Sequence, residues 1–131
     1  RLVRKLSSSK TKYLLSEKEL DYLGKVVSPE RILALLKEED IIGQKDAFDK
    51  IPFYKPAPGK DSEDGYSSRI GIHEVLKVTP TIKDLVIKGA ASGEIEERAK
   101  SEGMMTMIED GIFKASQGIT TIEEVLRVVS E

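Results

Sequence analysis

Signals that begin and end helices recur from residue 79 onward, and they constrain the fold more than any other feature of this sequence. Thr79-Pro80 is typical of a helix start, because Thr caps the first turn and Pro is tolerated at the first helical position. Gly89, Gly103 and Gly118 stand where helices would end, since glycine adopts the left-handed conformation common there. The pattern predicts four short helices over residues 79–88, 92–101, 106–117 and from 121 onward.

Apolar residues recur at helical spacing within each of these segments and predict which positions face the core. Thr121 and Glu124 also have the spacing of a capping box, in which each side chain binds the other residue's backbone N–H. The predicted buried positions are Ile82, Leu85, Val86, Ile95, Ala99, Met107, Ile108, Ile112, Ala115, Ile122, Val125, Leu126 and Val129.

The first part of the chain mixes strand and helix signals. The apolar-basic alternation of RLVRKL is typical of a half-buried strand, and PFYKP is a strand-like piece within an otherwise irregular connection. Ser16 and Glu19 have capping-box spacing, and Ser28-Pro29 is typical of a second helix start. SSSKTK is interpreted as a turn, and RIGIHEVLKV as a strand that passes into a turn or helix.

These signals together predict an α+β fold. We expect a subdomain of short strands and irregular loops over residues 1–78, followed by an all-helical C-terminal subdomain over residues 79–131.

Composition limits the class of protein. Of 131 residues, 39% are hydrophobic and 34% charged, which is typical of a soluble globular chain. No apolar run approaches the roughly 20 residues that span a bilayer, so we expect a cytoplasmic protein. The formal net charge of −2 argues against nucleic acid as the main partner. The chain begins with Arg1 rather than Met, and we expect it to be a fragment of a longer protein.

The sequence offers few groups for catalysis. Neither of its Gly-Lys pairs has the preceding Gly or the following Ser/Thr that a phosphate-binding P-loop requires. With no cysteine, thiol nucleophiles and thiolate metal sites are excluded. A small enzyme built on His73, Glu74 and Arg69 is the least favoured alternative, because the other groups of a catalytic site are missing. Arg69 is also suited to a carboxylate or phosphate of a neighbouring chain, although an ordinary ion pair is the commoner role.

Four stretches resemble, in order, the C-terminal region of the motor ATPases that drive type IV pilus assembly and type II secretion: RLVRKL, FYKP, DGYSSRIGIHEVLKVTP and EGMMTMIEDGIFKASQGITTIEEVLRVV. In that family the region follows a RecA-like ATPase core, and the nucleotide-binding motifs lie upstream. The resemblance implies a structural, motion-transmitting part of a hexameric motor, not catalytic alone, with ATP and Mg²⁺ bound elsewhere in the parent protein. A free-standing helical protein-interaction module is the alternative.

The resemblance also implies partners. They are the chain's own upstream ATPase core, the neighbouring subunits of a homohexamer, and an inner-membrane platform protein of a pilus or secretion system. Through them the chain would lie at the cytoplasmic side of that membrane. Tyr66, Arg69 and His73 are interpreted as structural or interface residues of this region.

Many members of that family hold zinc with two C-x-x-C pairs, and this chain departs from the pattern. The corresponding residues are Ser7 and Lys10 in the first pair, and Gly59 and Ser62, or Pro58 and Asp61 in a register shifted by one, in the second. None of these sets supplies the four Cys or His donors that tetrahedral zinc requires. We therefore expect no zinc and no other cofactor in this chain, and we expect hydrogen bonds and the packing of Phe53, Tyr54 and Tyr66 to hold the loop.

Overall fold

The computed structural model of the chain describes residues 1–130, which form four short strands, six helices and one 3₁₀ turn. The strands are β1 (Leu2–Leu6), β2 (Lys10–Tyr13), β3 (Phe53–Pro56) and β4 (Tyr66–Gly71), and the 3₁₀ turn is Phe48–Lys50. The helices are α1 (Glu17–Val26), α2 (Pro29–Glu38), α3 (Pro80–Ile87), α4 (Ser92–Ser101), α5 (Met107–Ser116) and α6 (Ile122–Ser130). This is the predicted α+β class, and the four helices predicted after residue 79 are confirmed.

The strands form two antiparallel pairs that follow one another along the chain. β1 pairs with β4, with Val3 opposite Ile70, and β2 pairs with β3, with Tyr13 opposite Phe53. The short segment 7–9 connects β1 to β2, and the longer segment 57–65 connects β3 to β4. The two pairs therefore resemble one two-stranded ribbon that is interrupted where these segments face each other, a place that we call the ribbon gap.

The strand predictions hold for β1 and β3 but fail in two places. SSSKTK was interpreted as a turn, yet its last residues form β2, because cross-strand pairing with β3 outweighs their low strand propensity. RIGIHEVLKV was interpreted as a strand passing into a turn or helix, but β4 ends at Gly71 and the exposed segment 73–78 is neither strand nor helix. Beyond Gly71, backbone pairing with the start of the chain ends at Ile72, whose N–H donates to the carbonyl of Arg1 at 2.8 Å.

The main core lies where α1 and α2 pack against β3, α5 and α6. Its buried residues are Leu15, Leu23, Val27, Ile32, Leu36, Ile42, Ile51, Phe53, Ile112, Ala115 and Ile122. A second, smaller cluster of Val3, Ile72 and Val128 joins the β1–β4 pair to α6. The main core draws residues from both sides of position 78, and the division of the chain into two subdomains at that position stays a prediction.

The helix ends follow the sequence signals closely. Ser16 and Glu19 form both bonds of a capping box at α1, and the Thr79 hydroxyl accepts the N–H of Ile82 at 3.3 Å. Gly89, Gly103 and Gly118 all have positive φ beyond helix ends, as predicted. No helix in residues 1–130 is both long and apolar enough to cross a bilayer.

Two details of the helices differ from the predictions. The capping box predicted at α6 forms only in part: the Thr121 hydroxyl accepts the N–H of Glu124 at 3.2 Å, but the Glu124 carboxylate binds Arg4 instead. The reason is that a guanidinium offers charge-assisted bonds that a backbone amide cannot match. In α3, Ile82 is buried as predicted whereas Val86 is 57% exposed.

Candidate functional site

The ribbon gap contains Ser7, Lys10, Gly59 and Ser62, the positions at which the resemblance to secretion motors implies a zinc site. The Ser7 N–H donates to the Gly65 carbonyl at 2.9 Å, and the Ser9 carbonyl accepts the Ala57 N–H at 3.2 Å. Ser7 is buried, and its hydroxyl donates to the Ser9 carbonyl at 3.4 Å. Lys10 turns away from the gap, because its Nζ donates to the Gly118 carbonyl at 2.7 Å beyond the end of α5.

The longer segment of the gap closes on itself. Gly59 and Ser62 exchange backbone hydrogen bonds of 2.9 and 3.3 Å, which makes an isolated bridge within residues 57–65. The Ser62 hydroxyl donates to Oδ1 of Asp64 at 2.7 Å and accepts the Gly65 N–H at 3.1 Å. These bonds keep the pKa of Asp64 below its usual value, with the Ser62 hydroxyl as the main cause, followed by the Tyr66 N–H.

The residues in the gap do not fit a zinc ion. Serine hydroxyls and a lysine ammonium are not the thiolate or imidazole donors that zinc takes in structural sites. Asp61, in the alternative register, is a single carboxylate, and its Oδ2 accepts the Ser8 hydroxyl at 2.8 Å. Among residues 1–130, no three His, Cys, Asp or Glu side chains are grouped so that they could share a metal ion.

A second concave region is lined mainly by arginine side chains. Arg1, Arg4, Arg69 and Arg127 line an open concavity of about 580 Å³, together with the apolar Leu2 and Val128. We call it the arginine surface. The four arginines come from β1, β4, α6 and the residue before β1, so pairing of the strands and packing of α6 bring them together.

Glu124 organises one side of the arginine surface. Arg4 donates to it three times, from Nε at 2.9 Å, from Nη2 at 2.7 Å and from its backbone N–H at 2.9 Å. Nη2 of Arg127 adds a bond of 3.0 Å. Burial opposes ionisation of this carboxyl, but the bonds from Arg4 and Arg127 outweigh it and lower the pKa of Glu124 to about 2. Glu124 is therefore ionised at neutral pH, and Arg4 is committed to it.

Arg69 stands apart from this network. It lies directly opposite Arg4 in the β1–β4 ladder, an arrangement that places like charges side by side. Its side chain is exposed and has no ion pair or hydrogen bond within residues 1–130. Tyr66 has a supporting role, since Arg4 stacks 4.2 Å from the centre of its ring and its hydroxyl lies 3.1 Å from Oγ1 of Thr121. Arg69 is the guanidinium available to an anionic group from outside the chain.

His73 and Glu74 do not join Arg69 in a catalytic arrangement. The His73 backbone N–H donates to Oδ2 of Asp110 at 2.8 Å, and its ring is exposed. The Glu74 carboxylate accepts the Met107 N–H at 3.1 Å, which caps the first turn of α5. Within the described residues no hydrogen bond links the three side chains, and the contacts of His73 and Glu74 anchor the segment after β4 to α5.

An ion pair between Arg31 of α2 and the buried Glu109 of α5 was not predicted. Arg31 donates to the Glu109 carboxylate at 2.8 and 3.1 Å and to the Met104 carbonyl at 3.0 Å. Burial opposes ionisation of Glu109, but the bonds from Arg31 and Thr106 lower its pKa below the usual value. The Thr106–Glu109 spacing is itself a capping-box signal, which forms here, but sequence spacing gives no indication of the Arg31 contact.

The geometry defines an α+β module that presents a cationic surface. The family model described as "Type II/IV secretion system protein" matches residues 1–127, and the chain belongs to that family.

Relatives of known name agree with this assignment. The chain is 50% identical over 62 residues to the type IV pilus assembly ATPase PilB of Thermus thermophilus. These residues are 47% of this chain and 7% of the relative. The chain is 37% identical over 87 residues to PilB of Pseudomonas aeruginosa, covering 66% of the chain and 15% of the relative. The type II secretion system protein E of Xanthomonas campestris is 43% identical over 82 residues, 63% of the chain and 14% of the relative. The chain thus spans between 7% and 15% of the length of these relatives.

Proposed function

We propose that this chain is the C-terminal portion of a motor ATPase for pilus assembly or protein secretion, and that it is structural and non-catalytic on its own. The observation that carries the proposal is the family match over residues 1–127, taken with the small share of the ATPase relatives that the chain spans. The sequence has no P-loop of its own, so nucleotide and Mg²⁺ would be bound by the rest of the parent protein.

The surface supports a role as a part that is covered by other parts of a motor. Large apolar side chains stand in water on the segment after β4 and on α3, where Val75, Val78 and Ile87 are 75%, 66% and 72% exposed. Large apolar patches on a protein surface are typical of interaction sites. Arg69 adds a guanidinium with no partner inside the described chain. We propose that these groups contact the upstream ATPase core and a neighbouring subunit.

In this account the chain transmits movement. Rings of six identical subunits close through head-to-tail contacts, in which one surface of each subunit meets a different surface of the next. A rigid module between the ATPase core and its neighbour would pass rotations of the core to an inner-membrane platform protein, as the resemblance implies. The parent protein would then be cytoplasmic and peripheral to that membrane through its partners.

Exchange of the homologous region tests the proposal. In Pseudomonas aeruginosa PilB, the region that matches this chain would be replaced by the chain, and a second strain would carry PilB truncated before that region. We expect the chimera to recover ATP hydrolysis and pilus assembly that the truncated protein lacks. A chimera that folds and is expressed, yet behaves like the truncated protein in both assays, would contradict the proposal.

Arg69 gives a sharper variant of the same experiment. We expect Arg69→Ala to lower the ATPase activity of the chimera while leaving the thermal stability of the isolated chain within about 0.5 kcal/mol, because its side chain has no internal partner. Lys25→Ala, at an exposed cationic position on α1, an element not assigned to this surface, is the matched control and should leave the activity unchanged. Equal activity of the Arg69 variant and this control would argue against an interface role for Arg69.

A further inference from the structure

The ribbon gap joins two separately packed parts of the molecule. On one side of it, β1 and β4 pack through Val3 and Ile72 on α6; on the other, β3 contributes Phe53 to the main core. The bonds between segments 7–9 and 57–65 therefore help to fix the β1–β4 pair, which carries Arg4 and Arg69, relative to the main core. They act beside the bonds that tie β1 to Ile119 and Glu124. In related motors zinc would hold them, but here the donors are absent.

We propose that the ribbon gap is closed by a metal-independent hydrogen-bonded clasp, in which Ser8 binds Asp61 and Gly59 provides the space for Ser9. The Ser8 hydroxyl donates to Oδ2 of Asp61 at 2.8 Å. Within residues 1–130 this is the one hydrogen bond between side chains of the two segments. Backbone bonds from Ser7 to Gly65 and from Ala57 to Ser9 flank it on either side.

Gly59 makes the clasp incompatible with a metal ligand at its position. A Cβ built on Gly59 would lie 2.1 Å from Oγ and 2.7 Å from Cβ of Ser9, far inside van der Waals contact. A cysteine or histidine at position 59 would therefore displace Ser9 and the bond that its carbonyl accepts from Ala57. In this conformation, position 59 cannot both pack closely on Ser9 and carry a side chain that binds a metal.

Ser62 occupies the other position of the second C-x-x-C pair, and both its hydroxyl and its backbone groups already have hydrogen-bond partners. Its hydroxyl donates to Asp64 and accepts from the Gly65 N–H, while its backbone pairs with Gly59. The segment 57–65 is thus a self-closed turn, and the polar groups of the gap find their partners in the protein rather than in an ion. The fold should be indifferent to chelators.

The clasp is tested first by metal content and chelation. The purified chain, refolded with equimolar zinc and desalted, should retain less than about 0.1 zinc ion per chain by elemental analysis, because tight structural sites retain a full equivalent. Its thermal midpoint should not change with EDTA. One equivalent of zinc retained after desalting, together with a midpoint that falls on chelation, would overturn the proposal.

Hydrogen exchange then tests the clasp itself. We expect Ser8→Ala and Asp61→Ala each to speed amide exchange in residues 57–65 by about threefold to tenfold, the range expected for loss of one hydrogen bond. Ser67→Ala and Glu63→Ala are matched controls, since both side chains are exposed and have no side-chain partner among residues 1–130. Exchange in 57–65 that does not differ between the clasp variants and their controls would also overturn the proposal.

Gly59→Ala provides a third readout and is expected to lower the thermal midpoint, whereas Gly93→Ala, at a helical position with nothing within 4 Å, should not. If the Gly59 variant does not fold, the exchange experiment on Ser8 and Asp61 still decides the matter, because removal of either side chain creates no overlap. An unchanged midpoint in folded Gly59→Ala would contradict the close packing on Ser9.

Discussion

Glu124 joins two elements, its own helix α6 and β1, through one buried carboxylate. Its backbone N–H is capped by Thr121 at the start of α6, and its oxygens accept bonds from Arg4 of β1 and Arg127 of α6. A carboxylate with these partners is stabilised in its charged form, so it stabilises the folded chain only while it is ionised.

This arrangement predicts acid sensitivity. The pKa of Glu124 falls from an ordinary 4.5 to about 2 on folding, so its contribution to stability is complete above about pH 5 and is lost as the pH falls towards 2. We expect a loss of about 2 to 4 kcal/mol across that window. In Glu124→Gln the free energy of unfolding at pH 7 should be lower and its decline in acid shallower, with Glu109 responsible for part of what remains.

Urea unfolding at several pH values measures this effect. Glu97→Gln, an exposed position on α4 with no side-chain partner among residues 1–130, is the control and should keep the wild-type pH dependence. Identical slopes for the Glu124 variant and wild type between pH 5 and 2 would contradict the role given to this carboxylate.

Ser68 stores backbone strain in β4. Its φ of 63° lies in the left-handed region, which costs a residue with a Cβ about 1 to 2 kcal/mol. We expect Ser68→Gly to raise the free energy of unfolding by up to about 1 kcal/mol, whereas Ser67→Gly should lower it by about 0.5 to 1 kcal/mol, because strand glycine costs entropy. A destabilised Ser68→Gly variant would mean that this backbone conformation is wrong.

At the scale of elements, α5 and α6 depend on one close approach. A Cβ on Gly111 of α5 would lie 2.5 Å from Cγ1 of Val125 on α6. We expect Gly111→Ala to destabilise the chain by about 1 to 3 kcal/mol by overpacking, although alanine is the better helix former.

The same substitution in α4 should have the opposite sign. Gly93 lies in the first turn of that helix with nothing within 4 Å, and Gly93→Ala should be neutral or stabilise by up to about 1 kcal/mol. Chemical denaturation of the two variants beside wild type measures both effects. Stabilisation by Gly111→Ala would show that α5 and α6 are farther apart than described.

Sequence reasoning predicted the elements whose signals are local. The helices after residue 79 follow from capping and glycine signals that act within a few residues. β2 was missed because its polar sequence becomes a strand only through its pairing with β3. The predicted strand beyond Gly71 was wrong because an alternating pattern does not show where a pairing partner ends.

The candidate sites depend on contacts that sequence spacing cannot give. Arg4, Arg69 and Arg127 belong to three elements and meet only after β1 pairs with β4 and α6 packs beside them. The net charge of −2 gave no hint of this local concentration of arginine. The position of the ribbon gap could be anticipated, because the resemblance marked the residues that correspond to the zinc positions. The bond from Ser8 to Asp61 could not be anticipated.

At the scale of the whole molecule, the chain combines the hydrogen-bonded ribbon gap, the arginine surface and exposed apolar residues. The PilB relatives are ATPases, and the aligned residues cover only 7% and 15% of their length. This combination supports the proposal that the chain works by contact and movement within a larger motor, and that the chemistry is carried out by another part of the parent protein.

ATP turnover by the purified chain is the most direct test of this central claim. With saturating Mg·ATP, we expect no phosphate release above the protein-free rate, because the chain has no P-loop. The chimeric motor that contains the same residues should turn over ATP under identical conditions. Saturable turnover by the isolated chain that disappears in Arg69→Ala or His73→Ala would contradict the account and make this chain an enzyme in its own right.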